Sequence, residues 1–166
     1  MDILIGTMAE ARQAGSDHGT GGSPGGAGAA GASVRNRGAS ELPLAGRRVL
    51  VVEDEALVAL YLSDVLEEAG AEVVGPAHCL REAMALVDAD DFDAALMDVN
   101  LAGEASWPAI EAMGRVGKPF VVLSGNAVGE QARAHGAREV LTKPARPEEV
   151  VGALAAAAAG PVAGNA

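Results

Sequence analysis

Aromatic side chains are almost missing from this chain, which has one Trp, one Tyr and two Phe in 166 residues. A site that stacks a flavin ring would find little to use. Cysteine is nearly absent too: the lone Cys79 excludes an internal disulfide and fits a reducing compartment. Basic residues are few, 12 Lys and Arg against 23 Asp and Glu, for a net charge of −11. Nearly all of that excess lies after Arg47. An acidic surface repels phosphate backbones, so nucleic acid is not an expected partner. His18, His78 and His135 share no metal-ligand spacing. Long apolar runs are missing as well. The opening MDILIGTMAEARQAG has an apolar patch but lacks the basic region and long apolar core of a signal peptide. No stretch reaches the roughly 20 apolar residues of a membrane span. The expectation is a soluble, cytoplasmic protein with no membrane partner.

Between Met8 and Arg47 there are almost no large apolar side chains, and Gly is concentrated between Gly15 and Gly38. Such a segment cannot offset the entropy of ordering. Residues 1–44 therefore read as a flexible tail, 45–159 as the folded domain, and 160–166 as a short C-terminal tail. Gly19-Thr20-Gly21-Gly22 is no phosphate-binding loop, because no strand precedes it and no Gly-Lys-Ser/Thr ending follows.

From Arg47 on, two kinds of segment alternate. The β-branched run 48–52 suits a strand buried on both faces. Apolar positions then repeat with a helical period from Ala56 to Glu68, stopped by Gly70. Further strands are expected over 71–75 (ended by Pro76), 92–97, 119–123 and 138–141. Further helices are expected over 80–88, 106–114, 129–135 and 147–158. Ser106 is a candidate helix cap and Pro147 suits a first turn. Five strand–helix pairs in strict alternation predict a parallel sheet with helices on both faces. About 115 residues are too few for an eight-fold barrel. The expected fold is α/β, a flavodoxin-like (βα)5 doubly wound sheet of strand order 2-1-3-4-5.

Such sheets place their sites at the carboxyl ends of the strands, beside the topological switch point. The first strand ends in Glu53-Asp54, the third in Asp98, the fourth in Ser124-Gly125 and the fifth in Thr142-Lys143-Pro144. Three acids, a hydroxyl and an amine thus share one rim. Crowded carboxylates repel, and either a divalent cation or Lys143 can hold them. Hard oxygen ligands suit Mg²⁺. Glu53, Asp54 and Asp98, with the backbone carbonyl of Asn100, form the expected Mg²⁺ set. With a phosphoryl group added, Lys143 and the cation neutralise its oxygens, Ser124 donates a hydrogen bond, and a carboxylate attacks in line. Asp98, alone on the central strand, is the expected nucleophile. An aspartate-nucleophile phosphatase would want a second acid two residues on, where Asn100 stands.

The motifs VLVVEDE, LMDVNL, VVLSG and LTKP, in that order, make the chain resemble the receiver domain of bacterial two-component response regulators. The resemblance spans about Arg47 to Leu154. It implies that Glu53 and Asp54 are the acidic pair, Asp98 the phosphoacceptor, Ser124 the switch hydroxyl and Lys143 the family's lysine. It also implies Mg²⁺ as cofactor and a histidine kinase or histidine phosphotransfer protein as partner. The only chemistry implied is the chain's own phosphorylation and dephosphorylation at Asp98, not turnover of another substrate. Family members then alter the face made by the fourth and fifth helices and the last strand. One departure stands out: three residues before the lysine, where many receivers carry Tyr or Phe, this chain has Val140. After Val151 only a helix end and a short Gly/Pro tail remain, so a stand-alone receiver is expected, working by protein contact or as a phosphate sink. The alternative is a receiver-fold interaction domain that works without phosphorylation.

Overall fold

Along each central strand, successive side chains enter two different cores. The computed structural model describes residues 42–160. Within it, β1 (Arg48–Val52), β3 (Ala94–Asp98) and β6 (Phe120–Ser124) are buried almost throughout. Val49, Val51, Ala94, Leu96, Val121 and Leu123 join one cluster, with Leu62, Leu66, Val150 and Leu154. Leu50, Val52, Ala95, Met97, Phe120 and Val122 join the other, with Val87, Ile110 and Met113. This is the period of two expected of a strand, with apolar residues on both faces because helices cover both.

The helices sort accordingly. α1 (Ala56–Glu68) and α5 (Pro147–Ala159) supply the first cluster. α2 (Leu80–Ala89), α3 (Trp107–Val116) and the short α4 (Gly129–Ala134) supply the second. In α1 the inward residues are Ala59, Leu62 and Leu66, a helical stripe. The helix stops at Ala69, followed by Gly70 at φ +93°. A Cβ at Gly70 would lie 2.9 Å from the Leu42 Cβ, so this site needs glycine for both space and conformation.

The five parallel strands run in the order β2-β1-β3-β6-β7, with β2 at Glu72–Ala77 and β7 at Glu139–Thr142. Counted along the parallel sheet this is 2-1-3-4-5, as the sequence predicts. Two features differ from expectation. β2 does not stop at Pro76 but runs to Ala77, with a register shift: Leu50 pairs with Val74 and Val52 with Ala77. Gly75, at φ +94°, carries the irregularity, and proline is tolerated because β2 is an edge strand. The loop after β3 also contains a small antiparallel hairpin, β4 (Asn100–Leu101) with β5 (Glu104–Ala105). Its two turn residues, Ala102 (φ +54°) and Gly103 (φ +88°), both adopt positive φ, as a two-residue type I′ loop requires. Ala-Gly is a weak signal for that turn, which is why the sequence reads as plain loop.

Most of the tail expected over residues 1–44 lies outside the described residues, as does the C-terminal tail beyond Gly160. Its last residue, however, belongs to the fold. Leu44 is 1% exposed and packs in the α1/α5 core. Its N–H donates to the Ala69 carbonyl at 2.9 Å, and Gly46 N–H donates to the Gly70 carbonyl at 3.2 Å. A single leucine beside Pro43 and Ala45 carries no periodicity, so the sequence could not assign it. Leu44→Ala is expected to cost about 2–5 kcal/mol, the usual cost of emptying a buried leucine site. Urea denaturation reads this directly, and an unchanged midpoint would place the domain boundary after Leu44.

Candidate functional site

The parallel ladder carries the rim residues to one place. β1 and β3 pair in register up to Val52 and Met97, so Glu53 and Asp98 leave adjacent strands at the same level. β3 and β6 pair Asp98 with Leu123, one residue before Ser124. β6 and β7 pair Ser124 with Thr142, and Lys143 N–H then donates to the Ser124 carbonyl at 2.9 Å. All five side chains expected from the sequence therefore emerge at the carboxyl edge of neighbouring strands. Three of them are buried, with Glu53 1%, Asp98 7% and Ser124 3% exposed.

Lys143 is the hub. Its Nζ donates to Glu53 Oε2 at 2.6 Å and to Asp98 Oδ2 at 2.6 Å. Asp98 Oδ1 accepts from Asn100 N–H at 3.1 Å, and Glu53 Oε1 from Glu55 N–H at 3.3 Å. Asp54, less buried, accepts from the N–H of Ala102 at 2.8 Å through Oδ2. Ser124 Oγ accepts from Asn126 N–H at 3.1 Å, which leaves its own O–H to donate. No buried side-chain polar atom among the described residues lacks a partner.

Oxygen atoms of Glu53, Asp54 and Asp98 all lie within 4.8 Å of one another. At that separation each ionised pair repels by roughly 3 kcal/mol at an effective dielectric of about 20. One ammonium against three carboxylates leaves the site negative. A cluster of hard oxygen donors with surplus charge fits a small divalent cation. The charges also show in the titration of the site. Burial pushes the Glu53 carboxyl up from its ordinary 4.5, and the bond and charge of Lys143 pull it only part of the way back. Burial pulls Lys143 down, but its bonds to Asp98 and Glu53 outweigh this and hold it above 10.5.

Sequence reasoning missed two parts of the site. The hairpin that delivers the Ala102 N–H to Asp54 is one. The Ser106 hydroxyl is the other: expected as a helix cap, it makes no cap bond and donates to the Asp98 carbonyl. Val140, where an aromatic would be expected from the resemblance, is half-buried against the α2/α3 core. Among the described residues, a ring contact is found between Trp107 at the start of α3 and His135 after α4, with centroids 5.7 Å apart.

The Lys143 bridge predicts a stability effect. An ammonium whose value rises on folding adds stability below its ordinary 10.5 and loses it as pH climbs through the raised value. Glu53, raised above 4.5, favours the fold below that pH and withdraws its support as pH rises through its own raised value. In metal-free buffer at neutral pH, Lys143→Ala should cost about 1–3 kcal/mol. That is less than for a fully buried pair, because the lysine side chain is 29% exposed. Added Mg²⁺ should restore part of the loss, and the gap to wild type should shrink above pH 10.5. Urea titrations at the two pH values check this; coincident curves at neutral pH would contradict it.

The chain is similar in sequence and fold to known proteins. The chain is 32% identical over 114 residues to the chemotaxis protein CheY of Thermotoga maritima, covering 66% of this chain and 95% of that protein. It is 36% identical over 112 residues to the transcriptional regulatory protein PdtaR of Mycobacterium tuberculosis, covering 65% of this chain but only 55% of that longer protein. Among solved structures it is similar to a Burkholderia pseudomallei response regulator carrying a phosphorylated aspartic acid, a calcium ion and citrate. That match has 30% identity and a TM-score of 0.60, over 65% of this chain and 66% of that one. The receiver domain of the putative response regulator NarL from Mycobacterium tuberculosis matches with 25% identity and a TM-score of 0.63, over 70% of this chain and 98% of that one. Residues 49–155 match the family model of the response regulator receiver domain, and the chain belongs to that family of two-component signalling modules.

Proposed function

We propose that this receiver accepts a phosphoryl group on Asp98 from a phosphohistidine of a histidine kinase or histidine phosphotransfer protein. Glu53, Asp54, Asp98 and the Asn100 carbonyl would hold Mg²⁺. The observation that carries the reading is the Lys143 ammonium bonded to the buried Glu53 and Asp98, inside a trio of carboxylates spanning less than 5 Å. A buried set of like charges held by one cation is built to take a further cation and a dianion. The phosphorylated aspartate and divalent ion in the Burkholderia pseudomallei structure, at 30% identity, support the same chemistry.

The residues divide the work. One carboxylate oxygen of Asp98 attacks phosphorus in line. The P–N bond to the donor imidazole breaks, and its electron pair stays on that nitrogen. Asn100 N–H holds the other Asp98 oxygen, which fixes the direction of attack. Lys143 transfers its ammonium from the free carboxylates to an oxygen of the incoming group, and the Ser124 O–H donates to another. A bound divalent cation supplies charge neutralisation at the phosphoryl oxygens. Phosphoryl transfer consists largely of positioning and charge stabilisation, so these parts suffice. The product is an acyl phosphate, read by partner proteins at the face of α4, β7 and α5 or drained as a phosphate sink. The acidic surface and the lack of a long apolar helix among the described residues fit a protein partner rather than nucleic acid or membrane.

Incubation with Mg²⁺ and acetyl phosphate, followed by intact mass measurement, tests the reading. The wild type should gain one phosphoryl group and Asp98→Asn none. Asp54→Asn should weaken Mg²⁺ by at least the ~10–100-fold typical of losing even an outer-sphere partner. A wild type that gains no mass, or an Asp98→Asn protein that gains as much, would sink the assignment.

A further inference from the structure

Ser106 is completely buried, and its polar atoms are committed in an unexpected direction. A serine just before a helix ordinarily caps the first turn. Here the hydroxyl makes no cap bond to α3 and instead donates to the backbone carbonyl of Asp98. The Ser106 N–H donates to the carbonyl of the next residue, Val99, at 2.8 Å. One residue therefore grips two consecutive peptide units at the end of β3. On its other side, the Ser106 carbonyl accepts from Ala109 and Ile110 at 2.9 and 3.0 Å, which ties the grip to the first turn of α3.

Between these points the chain makes the 99–105 excursion, including the β4–β5 hairpin, and closes on itself. Within that excursion Asn100 N–H reaches Asp98 Oδ1, and Ala102 N–H reaches Asp54 Oδ2. The base of the loop is fixed by Ser106; its upper part fixes two carboxylates of the acidic trio. We infer that Ser106 is a positioning residue for phosphoryl transfer: its buried hydroxyl sets the Asp98 peptide, and through the closed 99–105 loop it aims the Asp98 and Asp54 carboxylates. The hydroxyl is not used as a helix cap; it is directed to the peptide of Asp98.

The inference rests on Asp98 as phosphoacceptor, so the test separates the two. Wild type, Ser106→Ala and the control Ser63→Ala are compared. Ser63 also makes a hydroxyl-to-carbonyl bond, to Ala59 at 2.8 Å, but within α1 and away from the acids. Three quantities are read: the Mg²⁺ dissociation constant by calorimetry, the acetyl phosphate phosphorylation rate at saturating Mg²⁺, and the chemical shift and exchange rate of the Asn100 amide. Ser106→Ala should phosphorylate about tenfold more slowly, within the ~100-fold that an ångström of misplacement can cost. It should also bind Mg²⁺ several-fold more weakly and show an upfield-shifted, faster-exchanging Asn100 amide. Ser63→Ala should match wild type in all three. If Ser106→Ala loses only its unfolding midpoint and keeps these three values, the hydroxyl is merely structural and the inference fails. If the wild type itself takes no phosphoryl group, the function assigned to Asp98 fails, while the Mg²⁺ affinity and the Asn100 amide still decide the positioning role. Should Ser106→Ala not fold, Ser106→Cys, close in volume and a weaker donor, gives the same readings.

Discussion

One ammonium group holds the functional edge of this protein together. Lys143 binds Glu53 and Asp98, and without it two buried carboxylates from adjacent strands would face each other with only backbone N–H groups for company. The surrounding architecture follows from that requirement. Glu53 and Asp98 must leave β1 and β3 at one level, which the in-register parallel pairing of Val52 with Met97 ensures. Lys143 must come from two strands away, which β6 and β7 achieve by pairing Ser124 with Thr142. The two cores on either side of the sheet keep these strand ends from shifting. Burial opposes the charge on both partners, and the bonds of the bridge offset that penalty.

The bridge leaves the site electrically incomplete. Three acids and one lysine retain a negative surplus where oxygen donors already converge, an arrangement that suits a small divalent cation. A dianion arriving with it would find the lysine within reach, because Lys143 is bonded to Glu53 and Asp98 at the same rim. Val140, within β7, offers no large ring at the position where the resemblance leads one to expect an aromatic. Among the described residues, Trp107 at the start of α3 and His135 after α4 form a ring contact.

Much of this was legible in the sequence, and the reasons differ by element. The β-branched runs, the helical stripe of α1 and the Gly and Pro punctuation gave every major element to within a residue or two. Strict alternation then gave the sheet order. The five rim residues were legible because topology alone sends strand ends to one edge, so residues far apart in sequence could be grouped without a contact map. What stayed hidden depends on backbone geometry that side-chain pattern does not encode. Ala102 at positive φ has no residue-type signal, so the hairpin read as loop. Pro76 looked like a stop because its tolerance on an edge strand depends on a register shift invisible in one dimension. Leu44 needed a neighbour, Ala69, more than twenty residues away. A serine before a helix signals a cap in sequence, and only the fold shows that the Ser106 hydroxyl turns back toward Asp98.

The central claim is that Lys143 is held by Glu53 and Asp98 in the resting protein and moves to a phosphoryl oxygen on activation. The most direct measurement is the nitrogen-15 and proton resonance of the Lys143 ammonium, assigned by Lys143→Arg. It would be followed through addition of Mg²⁺ and then beryllofluoride, which mimics the phosphoryl group. The account predicts a slowly exchanging ammonium signal in the free protein and a distinct shift on adding beryllofluoride. That shift should require Mg²⁺ and be absent from Asp98→Asn. A rapidly exchanging, solvent-like Lys143 signal in the resting protein, or one that ignores beryllofluoride in the presence of Mg²⁺, would contradict it.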